Sequence, residues 1–154
     1  MMQSLLVPLV LALIGLAAGV LVGTQLGGYP LLAVLPPERY VHAHAFFASK
    51  YDPFMPACLL GTVAGDALLA AVADGTGVRA LFAAGAALAL ATVLISVTKN
   101  VPINKAVKAL DPDRLPADFA RQDRRHEWGR WNQVRGGLAV AALVANCLAV
   151  ALLI

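Results

Sequence analysis

TKNVPINKAVKALDP, at positions 98–112, and HEWGRWNQVR, at 126–135, bound a stretch, Thr98–Arg135, that carries most of the chain's positive charge and stands between two long apolar runs. Whatever fold the chain adopts must keep this stretch in water and bury what flanks it. Of 154 residues, 60% are hydrophobic and only 14% charged. A soluble domain of this size has too little interior for so much apolar surface, whereas a bilayer solvates it readily. Reading outward gives four spans, at about Leu5–Leu26, Pro53–Ala73, Val78–Lys99 and Gly136–Ile154. The predicted fold class is all-α, a single integral-membrane four-helix bundle covering residues 1–154.

The charge pattern sets an expected orientation. Arg39, Lys50 and the nine lysines and arginines from Lys99 to Arg135 fall in the connections between spans one and two and between three and four, and only Arg79 falls on the other side. The positive-inside rule predicts a multi-pass protein of the plasma (inner) membrane, with both long connections cytoplasmic and both termini outside. Residues 1–37 carry no charged side chain, so the start reads as a retained helix and not as a cleaved leader with a basic n-region. Five acids, Asp111, Asp113, Asp118, Asp123 and Glu127, interleave with the bases of the second long connection. Anionic lipid headgroups account for that pattern better than nucleic acid, and no nucleic-acid partner is expected.

Within the spans, polar residues are few. Gly15, Gly19 and Gly23 form a smooth face suited to close helix contact, within the chain or in a homo-oligomer. Tyr29-Pro30 and Pro36-Pro37 are expected to break the first helix. Asp66 sits near the middle of span two, a costly place for a carboxylate, so it must face protein or water. Cys58 and Cys147 lie inside apolar runs, indicating neither a disulfide nor a zinc site. Thr92, Ser96, Asn100 and Asn104 recur every four residues and predict one polar stripe, with Pro102 bending its end. Trp128, Trp131 or Asn132, and Arg135 share a face that continues to Asn146.

An antiparallel bundle gathers the ends of all four helices at one rim. His42, His44, Lys50, Tyr51, Asp52, Asn100, Asn104, Trp128, Trp131 and Arg135 all fall there. Aromatic walls, amide and guanidinium donors and an apolar floor suit a small, flat aromatic molecule carrying one or two oxygens. The tryptophans also fit interfacial anchoring. A metal held through His42, His44, His126, Asp52 or Asp66 is a minor alternative, since no HExxH or CxxC spacing supports it.

The run NVPINK at 100–105 and the W-x-x-W-N-x-x-R pattern from Trp128 to Arg135 resemble the DUF1772 family of small four-helix membrane proteins, which includes anthrone oxygenase-like enzymes. HAHAFF at 42–47 and DPFMP at 52–56 look similar as well. The resemblance implies oxidation of an anthrone, a tricyclic aromatic ketone with a reactive methylene, to a quinone by molecular oxygen without flavin or haem. It assigns the base to His44, or alternatively Asp66. Asn100, Asn104 and Arg135 are expected to stabilise the enolate oxygen and Trp128 or Trp131 to cover the ring, with His42 and Tyr51 beside it. Two other classes fit the same sequence: a non-catalytic module binding a lipophile or a partner protein, and a small ion- or proton-coupled transporter using Asp66 and Asn146.

Overall fold

The computed structural model describes residues 2–51 and 53–153, the side chain of Met2 excepted. The expected rim carboxylate Asp52 and the end of the fourth span at Ile154 therefore lie outside the described residues. Among the described residues there are helices and no strand. Four helical stretches are long and apolar enough to cross a membrane: Gln3–Val34, Phe54–Val72, Thr76–Lys108 and Phe119–Ala151. Their outward faces carry exposed Leu5, Leu9, Leu16, Leu68, Leu90, Leu94, Val144 and Leu148. An apolar exterior of this kind suits hydrocarbon and not water.

The chain runs through α1 (Met2–Gly23), a π-helical turn (Thr24–Gly28), α2 (Tyr29–Val34), α3 (Pro37–Tyr51), α4 (Phe54–Val72), α5 (Thr76–Ile95), a second π turn (Ser96–Asn100), α6 (Val101–Lys108), α7 (Phe119–Gln122) and α8 (Arg125–Ala151). Helix α4 packs on α5, α5 on α8, and α1 on both α4 and α8, which closes the ring. A short turn through Gly75, at φ +86, joins α4 to α5. That left-handed backbone is open to glycine at little cost. Carbonyls left bare at the end of α4 are capped by Gln3, which donates to Val72, and Arg79, which donates to Ala70. Cys58 and Cys147 are both free thiols.

Pro30 does not break the first span as expected. Instead, the helix widens before it. Proline cannot donate to the carbonyl four residues back and its ring crowds that carbonyl, and the turn ahead of it closes five residues apart, Tyr29 N–H to Thr24 O. The third span repeats the device, Val101 N–H to Ser96 O ahead of Pro102. The break comes only at Leu35, which is extended before Pro36 and Pro37. Among the described residues, nothing packs closely on the Gly15, Gly19 and Gly23 face: a Cβ added at any of them would touch nothing within 4 Å, and Gly23 borders the cavity described below.

Seen along the bundle, the interior is layered. Val10, Leu69, Val78, Phe82 and Ala149 fill the end nearest the α4–α5 turn. Above them Asn146 Nδ2 donates to Asp66 Oδ2 at 3.0 Å, with both residues wholly buried. Next comes a small-residue layer of Ile14, Ala17, Ala18, Cys58, Ala139 and Ala142. At the basic end Leu32, Tyr40, Val41, Ile103, Val107, Phe119 and Trp128 make an apolar cap. The Asp66–Asn146 pair exists because Gly85 leaves room for it: a Cβ there would stand 2.6 Å from Asp66 Oδ2 and 2.7 Å from Asn146 Nδ2. Gly85→Ala is expected to force α5 off the pair and lower stability by about 1–3 kcal/mol, the usual scale of overpacking. Thermal unfolding in detergent measures this, and a wild-type midpoint would show that the bundle yields there.

Candidate functional site

A cavity of about 370 Å³ lies between the small-residue layer and the apolar cap. That is within the ~300–1,000 Å³ range of small-molecule pockets. Both π turns line it, the first through Thr24 and Gly28 and the second through Ser96 and Val97. Widened turns of this type recur at functional sites because they splay the backbone and re-aim side chains. Helix α3 covers the cavity with one face, His44, Phe47, Ala48 and Tyr51, spaced three or four residues apart.

The polar groups form two clusters. In the first, Trp128 Nε1–H donates to Asn104 Oδ1 at 2.8 Å, and His44 Nε2 lies 3.0 Å from the same oxygen. An indole nitrogen only donates, so the Asn104 atom facing it must be the carbonyl oxygen. His44 Nε2 must then carry the hydrogen. That fixes the tautomer and leaves the lone pair on Nδ1, which is buried and has no partner. The imidazole is held edge-on between Tyr40 and Trp128, with ring centroids 5.3 and 4.9 Å away. Burial pushes the His44 pKa below the ordinary 6.5, outweighing the upward pull of the Asn104 bond and of Asp123, while Arg125 also lowers it. The imidazole is therefore neutral at pH 7. Burial and Asp123 raise the Tyr40 hydroxyl well above its ordinary value, so Tyr40 stays a phenol.

The second cluster centres on Arg135. Its Nη1 donates to Ser96 Oγ at 3.0 Å and its Nη2 to Asn132 Oδ1 at 2.8 Å. Asn132 Nδ2 in turn donates to Gln25 Oε1 at 3.1 Å. Both partners, and Gln25 beyond them, are neutral. Among the described residues no carboxylate pairs with Arg135, and its Nε is buried without an acceptor. Among the described residues, the cavity therefore presents a cation without a counter-ion on one wall and a neutral, tautomer-locked imidazole on another.

Of the residues singled out from sequence, His44, Asn104, Trp128, Arg135 and Tyr51 line the cavity. The others stand elsewhere. His42 is exposed on the outer side of α3, because two residues of helix turn it away from His44. Asn100 is buried outside the lining and donates to the Trp128 carbonyl at 3.1 Å, tying the third span to α8. Trp131 lies outside the lining, with the Lys99 ammonium 5.1 Å over its ring. Asp66 is two layers deeper, bonded to Asn146. His126 meets the Tyr29 hydroxyl at 3.1 Å. Among the described residues no three histidine, cysteine or acidic side chains gather at metal-binding spacing.

Gln25 completes the site without having been singled out, and Asn132, weighed from sequence only as the alternative to Trp131, lines the cavity. Gln25 carried a legible signal, as a lone amide near the end of an uncharged span.

Fold and cavity together define the class: an integral-membrane helical bundle that encloses a ligand-sized, mostly apolar chamber with polar groups on opposing elements. Within that class the match is specific. Residues 44–145, about two thirds of the chain, match the model of the anthrone oxygenase family, and the chain belongs to that family. The matched stretch begins at His44 and contains Asn104, Trp128 and Arg135. No curated protein and no solved structure matches it.

Proposed function

We propose that the protein is a membrane oxygenase that converts an anthrone-type aromatic ketone to the quinone with molecular oxygen. The observation that carries the reading is the Trp128–Asn104–His44 chain, which leaves a basic, unpartnered nitrogen on a residue lining an apolar cavity.

In this mechanism a shift of the His44 ring on substrate entry brings Nδ1, which the protein otherwise shields, to the activated methylene, from which it takes a proton. Negative charge moves to the ketone oxygen, where the Arg135 guanidinium, steadied by Ser96 and Asn132, receives it. Such a donor gains most in a site of low dielectric, because no water competes as charge develops. The enolate gives one electron to oxygen, and the resulting radical and superoxide join in a new carbon–oxygen bond. The His44 proton returns to the peroxide. Loss of the remaining carbon-bound hydrogen with cleavage of the O–O bond releases water and leaves the carbonyl. One ketone and one oxygen molecule thus give one quinone and one water. Trp128 offers its ring face as a wall. From the charge bias we also infer that both long connections face the cytoplasm.

Oxygen uptake by purified protein in detergent, with a hydroxylated anthrone and a no-protein control for autoxidation, tests the reading. Protein-dependent uptake matched mole for mole by quinone is expected. Binding without uptake would instead make the cavity a lipophile-binding module.

A further inference from the structure

We infer that the cavity is loaded sideways, from the hydrocarbon of the bilayer, through a window between α4 and the second π turn, and that its ligand is a flat, uncharged, membrane-dissolved lipophile. That this lipophile is the aromatic ketone rests on the reading above. The route does not.

Both ends of the cavity are closed by protein. Towards the basic connections stands the apolar cap, in which Leu32, Tyr40, Val41 and Ile103 are each at most 2% exposed. Arg125 fastens that cap. It donates to the carbonyls of Leu32 and Leu35 and pairs with Asp123 at 2.6 Å, so α2, α8 and the loop before α8 are bolted together. Its guanidinium also covers the Tyr40 ring at 4.0 Å. Towards the α4–α5 turn the small-residue layer is equally tight, with Ile14, Ala17, Ala139 and Ala142 fully buried.

The flank differs. Leu60 on α4 and Val97 in the second π turn both line the cavity, yet they are 52% and 59% exposed. Tyr51 and Pro56, on the adjoining ends of α3 and α4, line it and are exposed too. A side chain that touches both the chamber and the outside marks the edge of an opening. Leu60 sits three residues from the middle of α4, about 5 Å along the axis, well inside a hydrocarbon half-layer of ~15 Å. What lies outside the Leu60 edge of the window is therefore acyl chain, and this favours a membrane-dissolved molecule over a charged or strongly hydrated one.

The test places a cysteine on the cavity wall by Ala48→Cys, in a chain where Cys58→Ala and Cys147→Ala remove the native thiols. The protein is reconstituted in phosphatidylcholine vesicles. Two maleimides are compared, a naphthyl one that dissolves in the bilayer and a sulfonated one that cannot cross it. The naphthyl reagent is expected to label position 48 while the sulfonated one, supplied on both sides, lags. Adding Leu60→Trp and Val97→Trp should slow naphthyl labelling at least about tenfold, a barrier rise of about 1.4 kcal/mol. Leu60→Ala and Val97→Ala should speed it. Leu148→Trp, on a lipid face away from the cavity, should leave it unchanged. Equal rates for the two maleimides, or a Leu60→Trp/Val97→Trp protein labelled at the parent rate, overturn the lateral route. Labelling requires no turnover, so failure of anthrone oxidation would leave these outcomes readable.

Discussion

His44→Ala is expected to reduce anthrone-dependent oxygen uptake by about 10²–10⁴-fold, the range that a positioned general base contributes. The fold should survive at reduced stability, because Asn104 keeps its bond from Trp128, while one neutral hydrogen bond worth about 1 kcal/mol and the ring contacts with Tyr40 and Trp128 disappear. His44→Gln serves as the control for volume: it refills much of the space and can still reach Asn104, but it has no basic nitrogen. Both variants should be equally slow if the lone pair matters. Near wild-type uptake in either would remove His44 as the base.

The pH profile adds an independent reading. Burial holds the His44 pKa below 6.5, so the free base persists below the pH at which an ordinary histidine would be half protonated. The acid limb of kcat/KM should therefore fall below pH 6.5. The sign for stability follows from linkage. The native state binds this proton less tightly than the unfolded chain, so the contribution of His44 is intact above pH ~6.5 and is lost as pH falls below that value.

Arg135→Met is expected to separate activity from stability. Removing a preorganised donor to a developing oxyanion costs about 10²–10³ in kcat. The fold loses no ion pair, because among the described residues Arg135 has neutral partners only, and it sheds a cation whose Nε is buried without an acceptor. Its unfolding midpoint in detergent should thus equal or exceed that of the wild type. Burying a charge is expensive without a counter-ion, and a methionine of similar length removes that expense. Arg135→Lys should keep part of the activity, since a point charge replaces the guanidinium fork but cannot hold Ser96 and Asn132 together. A destabilised Arg135→Met protein would show that Arg135 braces the helices, and the oxyanion role would lapse with it.

The four spans were legible because hydropathy is a bulk property: long runs with few charges have one economical home. Part of the cavity was legible for a topological reason. Antiparallel helices bring His44, Asn104, Trp128 and Arg135 to the same end whatever their detailed rotation. What the sequence could not supply was that rotation. His42 and His44 are neighbours on paper, yet helix α3 turns one out and the other in. Trp131 and Asn132 were equal candidates for the inward face of α8, and Asn132 lies in the cavity lining while Trp131 does not. Asp66 could have met the site or another helix, and the glycine opposite, Gly85, makes room for its pairing with Asn146. The Gln25–Asn132–Arg135 relay joins the first span to the last. No local pattern announces a contact over more than a hundred residues.

The two widened turns also set the phase of everything after them. An α-helix advances about 100° per residue, so one surplus residue rotates the rest of a helix by more than a quarter of a circle. Asn100 ends that dislocation and Asn104 stands beyond it, and the polar stripe divides there: Asn100 is spent on the Trp128 carbonyl, and Asn104 receives the indole and the imidazole. Spacings counted in multiples of four hold only up to Ile95 and begin again at Val101. Shortening either turn by a single residue would re-index the wall downstream, moving every later side chain to a neighbour's bearing while leaving composition and hydropathy almost untouched.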